Sequence, residues 1–263
     1  SLKGSADNLL SLKSDSESTI VVPAATTNAD YLSIGKNVFI KEGSDVKKGS
    51  HTAYTTENSS KPSEGAEPTD YITLYKHGWN LGYDFVFTWR GEDSASHDSW
   101  AIAANWDLGI VPGLASENTA GVKVVIPDGL TEYPDVDVDK ISVKSLEIGK
   151  AGETEHNSSI ILNNFSLSVT GSDSLVNYGT IEYKGDSRIT DGTNPINDAS
   201  NNGTVRYSGG TAESPLNLTD FNTTGADYAN LEITGFVSQS SGIEVSGTTA
   251  SAASTYSIFL TFS

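Results

Sequence analysis

Gly179-Thr-Ile-Glu-Tyr183 returns 24 residues later as Gly203-Thr-Val-Arg-Tyr207. In both copies apolar residues occupy every second position, the pattern of a strand with one face buried. Each copy follows an Asn-containing corner, Asn177-Tyr-Gly179 or Asn201-Asn-Gly203, and runs out at a second glycine, Gly185 or Gly209. A repeat of roughly 20 to 25 residues made of short strands and Asn/Gly corners predicts a stacked solenoid. Each coil then lays its strand about 4.8 Å from the one before. Asn suits such corners because it tolerates the left-handed backbone and can ladder with Asn in the next coil.

The same rhythm extends to both sides. Val122-Lys-Val-Val-Ile126 ends at Pro127-Asp-Gly129, and Ile141 to Ile148 ends at Gly149. Ile160-Ile-Leu162 and Phe165 to Val169 end at Gly171, Asn230 to Thr234 ends at Gly235, and Gly242 to Ser246 ends at Gly247. Ser145-Leu-Glu-Ile148 and Ser166-Leu-Ser-Val169 are a second similar pair, 21 residues apart. The expectation for 121–263 is an all-β chain folded as a right-handed parallel β-helix. The alternative is a β-sandwich, whose turn-bounded strands recur at comparable spacing.

Residues 1–86 read as an N-terminal β-repeat region. Leu9-Leu-Ser-Leu12, Thr19-Ile-Val-Val22, Tyr31-Leu-Ser-Ile34 and Val38-Phe-Ile40 are strand-length apolar runs between turn formers. Residues 43–69 are rich in Ser, Thr, Gly and Pro and read as a long polar loop. Beyond it Asp70-Tyr71-Ile-Thr-Leu74 resembles Asp30-Tyr31-Leu-Ser-Ile34, as neighbouring coils would around a looped-out excursion. Residues 87–120 hold Trp89, Trp100 and Trp106, three of the four tryptophans, and read as a seam that caps one unit and begins the next. Within it, Ser99-Trp-Ala-Ile-Ala-Ala-Asn105 is the best candidate for a short helix.

Phe87-Thr-Trp-Arg-Gly91, Ser99-Trp100, Ala104-Asn-Trp106, Gly109, Val111-Pro112, Val125-Ile-Pro-Asp-Gly129, Tyr133-Pro134 and Val143-Lys-Ser-Leu-Glu-Ile148 occur in that order. This succession resembles a signature of large repetitive bacterial surface proteins of the adhesin and haemagglutinin-like kind, and Leu10 to Tyr31 is similar to the repeats that precede it. The resemblance covers about two thirds of the chain. It implies parallel β-helical repeats and a cell-surface or secreted location, and it brings no catalytic residue. The polar, acidic loop Gly91 to Ser99 and the stretch Asn118 to Gly121 depart from that pattern.

Composition narrows the chemistry. With 34 acidic and 16 basic residues the formal charge is −18, which disfavours nucleic acid, whose phosphates need clustered Lys and Arg. The absence of cysteine excludes disulfides, thiolate catalysis and zinc–thiolate sites. It also fits a large exported bacterial protein. Methionine is absent too, and the start Ser1-Leu2-Lys3-Gly4 has no basic or apolar leader, as in a processed or internal segment. No run reaches the roughly 18 to 20 apolar residues of a membrane helix.

Four groups of residues could carry chemistry. Asp135, Asp137 and Asp139 alternate with Val136 and Val138, so a strand would set all three on one face. That face is either a solvated exterior, a Ca²⁺ site or, with Lys140 or Lys144, a lyase-like acidic cluster. No cofactor is expected, with Ca²⁺ the alternative that this acidic pattern leaves open. Trp89, Trp100 and Trp106 either stack on a sugar or pack as the core of a cap. His97-Asp98 beside Ser96 and Ser99 has the residue types of a nucleophilic triad without its spacing, and no nucleophile elbow is present. The six Asn-x-Ser/Thr triplets are those expected by chance in so Asn/Ser/Thr-rich a chain. The leading expectation is a non-catalytic stalk or adhesion module whose partner is a host or matrix protein or a glycan. The runner-up is a carbohydrate-active β-helix or carbohydrate-binding β-sandwich.

Overall fold

The computed structural model describes residues 85–114, 122–153, 156–171, 175–198, 201–219, 221, 227–239 and 249–251, and eight short segments between 2 and 62. Contacts divide the chain into two units: 1–85 with 116–118, and 86–115 with 119–263. The tryptophan segment thus shares a unit with the strands that follow it.

The second unit is a β-solenoid of parallel strands. Its largest sheet has six strands in the order Asp135–Val136, Ser159–Leu162, Thr180–Tyr183, Thr204–Tyr207, Asn230–Ile233 and Thr249–Ser251. Thr180 lies beside Thr204, Ile181 beside Val205, Glu182 beside Arg206 and Tyr183 beside Tyr207, so the 24-residue repeat is one coil in register. Four further strands, Val86–Thr88, Lys123–Ile126, Ser145–Ile148 and Leu175–Asn177, build a second parallel sheet. Ile141–Val143, Leu167–Val169 and Ile189–Thr190 build a third.

Alternation does the folding. Ile160, Ile181, Val205 and Leu231 form one inward row, and Leu162, Tyr183, Tyr207 and Ile233 form the next; each is at most 1% exposed. Burying such side chains stabilises by about 1.5–3 kcal/mol each before conformational entropy is charged. Outward positions between them carry Thr180, Thr204, Glu182, Arg206 and Glu232.

Several expectations are corrected. Ile141 to Ile148 is two strands, because the chain turns at Lys144 and each half joins a different sheet. The 21-residue similarity between Ser145–Ile148 and Ser166–Val169 is not a stacking relation: Leu146 pairs with Leu175, and Leu167 pairs with Ile141. Ser99–Asn105 forms no α-helix, only a bridge at Ser99, a turn at Trp100 and Ala101, and a single 3₁₀ turn over Ala103–Asn105. Corner asparagines bond to the backbone of an adjacent coil: Asn230 Nδ2 reaches Asn202 O in the preceding coil at 2.8 Å, and Asn177 Nδ2 reaches Thr204 O in the following one at 3.5 Å.

In the first unit, Leu10–Leu12 pairs in parallel with Leu32–Ile34, Ser18–Val22 with Val38–Glu42, and Leu2–Lys3 with Ala29–Asp30. Two strands fall inside the span read as a polar loop. Lys61–Pro62 pairs with Ser33 and Ile34, and Asp45–Val46 turns back against Lys41–Glu42. Residues 70–74 and 242–246, Trp79, His51, His77 and the apolar stretch 256–263 lie outside the described residues.

Candidate functional site

The tryptophans form the first layer of the second unit. Phe87 points inward from the strand Val86–Thr88, which lies against Lys123–Val125. Trp106 sits between the other two indoles, edge-on to Trp89 at 5.0 Å and to Trp100 at 4.7 Å between ring centroids. All three rings are at most 2% exposed. Each indole N–H donates to a carbonyl: Trp89 to Glu132, Trp100 to Pro112 and Trp106 to Trp100, at 2.9–3.1 Å. With every N–H satisfied and no face open, the rings act as packing, and in this arrangement offer no platform for a sugar.

The same segment covers sheet ends. Asp135 N donates to Asp98 O at 2.6 Å, and Trp100 N donates to Asp135 O at 3.1 Å. This adds a bridge to the first strand of the six-stranded sheet. Thr88 N donates to the Asp107 carboxylate at 2.9 Å. Buried Asn105 holds the acidic loop, donating to Ser96 O and Ser99 O and accepting from Asp93 N.

Asp135, Asp137 and Asp139 do not share a strand face. The strand ends at Val136, and Lys140 takes a left-handed φ of 62° as the chain turns. Each carboxylate has its own partner. Asp135 accepts from Asn163 Nδ2, Asp137 from Ser99 Oγ and Ala101 N, and Asp139 from Ser166 Oγ. Burial, with Asp137 and Asp98 nearby, pushes the Asp135 carboxyl above its usual range against the pull of Lys184. His97 pairs with Glu132 at 3.5 Å, not with Asp98 or Ser99. Among the described residues no three His, Asp or Glu side chains converge as metal ligands would.

The densest polar constellation lies elsewhere, at a corner built from two successive coils. The Asp128 carboxylate accepts from Ser158 N at 3.0 Å and Lys150 N at 3.1 Å, and meets His156 Nδ1 at 3.2 Å. The His156 ring stacks on Tyr178 in the following corner, centroids 5.6 Å apart. Alongside, Asn157 Oδ1 accepts from Gly129 N and from the Tyr133 hydroxyl. Ser158 is 1% exposed, and its hydroxyl lies in a niche where a Cβ on Gly179 would come within 2.3 Å, so it cannot meet a substrate. This arrangement is a staple between coils. Sequence reading passed over it because its members are 28 residues apart, and the only signal was their separation by about one coil.

Burial pushes the Asp128 carboxyl up, but hydrogen bonds from Ser158, His156 and Lys150 outweigh it and hold it below the usual range. A lowered folded-state value gives stability that is present above the unfolded value, about 3.9, and lost as pH falls through the folded one. Asp128→Asn is therefore expected to lower the melting temperature at neutral pH and to narrow its gap from wild type under acid. Thermal melts from about pH 3 to pH 7 measure this. A constant gap across that range would show that the charge contributes nothing.

Two further arrays run along the stack. On the outer face Arg206 bridges Glu232 at 2.8 Å and Glu182 at 3.4 Å. Inside, Tyr183, Tyr207 and Tyr228 pack in sequence. The Tyr207 hydroxyl accepts from Thr219 N and donates to Tyr228, whose own proton goes to Thr219 O. Burial pushes the Tyr183 and Tyr228 phenols far above their usual range. Arg188 lies over the Tyr183 ring at 4.6 Å and donates to the carbonyls of Gly185, Ser187 and Asn217. Comparison with protein-family models, with curated proteins and with solved structures finds no match.

Proposed function

We propose that the chain is a non-catalytic segment of a bacterial surface or secreted protein, acting as a structural stalk or adhesion module toward a host or matrix protein or a glycan. The observation that carries this reading is the parallel stack itself. Coils that bond to their neighbours in register extend a chain in one dimension, with an apolar interior and an outer face of Thr, Glu and Arg. The side chains best suited to chemistry have partners within the chain: the indoles in packing, Asp128 in a staple between coils, half-buried Asp135 in a bond from Asn163, and exposed Asp137 in a bond from Ala101 N. The net charge of −18 suits an exposed, soluble exterior. The ordered motifs from Phe87 to Ile148 and their resemblance to repetitive surface proteins supply the compartment.

The test uses beads coated with the chain, passed over immobilised matrix proteins and over a glycan array. Retention on one class of surface is expected, with acidic polysaccharides left at full length after incubation with the chain. Shortening of the polysaccharide would replace this reading with a lyase or hydrolase. Failure to be retained on any surface would remove the adhesive role.

A further inference from the structure

We propose that Asn202–Gly203 is a self-modification site, at which the main chain converts Asn202 to aspartate or isoaspartate through a cyclic imide. It is the one Asn-Gly dipeptide in the sequence. Gly203 adds no side chain beside its nitrogen, and the Asn202 side chain is exposed; Gly203 itself is buried against Asn177, so the corner has to open for the nitrogen to react. Neither the Asn202 side chain nor the Gly203 N–H makes a hydrogen bond to a described residue. Asn202 is also held at φ 60°, one of two described non-glycine residues in the left-handed region, a conformation that asparagine tolerates.

The neighbouring coil assists the chemistry. Asn230 Nδ2 donates to the Asn202 carbonyl at 2.8 Å. That carbonyl belongs to the same peptide group as the Gly203 nitrogen. When Gly203 N loses its proton, the negative charge moves onto the Asn202 oxygen, where Asn230 stabilises it. The nitrogen then attacks Asn202 Cγ, a C–N bond forms, and the side-chain nitrogen takes up a proton and leaves as ammonia. Water opens the five-membered imide at either carbonyl. One opening restores the original main chain with a carboxylate side chain, and the other places an extra methylene in the main chain.

The second product does not fit the corner. Gly203 packs so closely on Asn177 that a Cβ would lie 2.3 Å from Asn177 O, while Thr204 N bonds to Gly179 O at 2.8 Å and Asn230 N to Gly203 O at 3.3 Å. A lengthened backbone shifts that register and adds a negative charge, so the site marks the age of the coil.

The experiment incubates the folded chain at neutral and mildly alkaline pH and follows the peptide spanning residue 202 by mass spectrometry and by isoaspartyl-specific methyl transfer. Conversion is expected in the folded protein, faster at alkaline pH, and abolished in Asn202→Gln. Asn230→Asp keeps the shape and removes the donated hydrogen bond, so it should slow conversion about fivefold, the factor for one bond of about 1 kcal/mol. Hydrogen exchange at Thr204 checks that the corner opens no more readily in this variant. Conversion seen only in chain unfolded by denaturant would overturn the proposal. So would an unchanged rate in Asn230→Asp with Thr204 still protected.

Discussion

Trp106→Ala is expected to remove about 3–5 kcal/mol from the second unit, a large share of the roughly 5–15 kcal/mol that holds a typical domain folded. The ring is 2% exposed and is the member of the cluster that touches both other indoles, so its loss opens a cavity and cancels two edge-to-face contacts at once. The Trp100 carbonyl also loses its indole donor. In a stack where each coil contacts only its neighbours, the damage should stay local. Hydrogen exchange should therefore rise first at Val86–Thr88 and Lys123–Ile126, while Thr204–Tyr207 remains protected. Equal loss of protection in both places would show that the unit melts as one cooperative block and that the tryptophans are not its local cap. Trp106→Phe serves as the companion variant, retaining most of the ring while deleting the N–H, and should recover more than half of the loss.

Gly209→Ala is the second large effect, from a single methyl. A Cβ there would lie 1.9 Å from Lys184 O, and the obstacle is backbone that cannot swing aside. The neighbouring corners repeat the constraint: a Cβ on Gly185 would meet Asn163 O at 1.9 Å, and one on Gly235 would meet Gly209 O at 2.1 Å. Overpacking in a core costs about 1–3 kcal/mol, and this position belongs at or beyond the upper end because two coils must separate to make room. Chemical denaturation monitored by tyrosine fluorescence would measure it, since Tyr183, Tyr207 and Tyr228 lie in the adjoining coils. A midpoint within error of wild type would mean that the corner yields freely and that these glycines are not required for stacking.

Those glycines explain why so much of the fold is legible in the sequence. Gly185, Gly209 and Gly235 each follow a strand, and their recurrence alone marks the coil length. The strands over 180–183 and 204–207 are readable because alternation and corner agree. Elsewhere the coil length varies, from 18 residues between Leu231 and Thr249 to 37 between Val86 and Lys123, so similarity at a fixed offset misleads. The split within 141–148 does leave a trace. Val143 and Leu146 are both buried yet three residues apart, which no uninterrupted strand can place on one face. That slip of phase marks the turn at Lys144.

The candidate site is less legible than the scaffold. Asp135, Asp137 and Asp139 carry the alternation of a strand, but Lys140 in the left-handed region shows that the chain is already turning. The Asp128–His156 staple depends on which corners stack, and therefore on coil lengths that composition does not reveal.

The parallel register has a mechanical consequence. Successive coils are joined by hydrogen bonds directed along the stack, between Thr180–Tyr183 and Thr204–Tyr207 and again between Thr204–Tyr207 and Asn230–Ile233. Tension along that direction loads these ladders in series, so each carries the full force and the weakest coil peels first. A peeled coil of 24 to 26 residues can extend to roughly 80–90 Å of slack chain while the coils beyond it stay wound. Such an element is expected to lengthen in steps under load, one coil at a time.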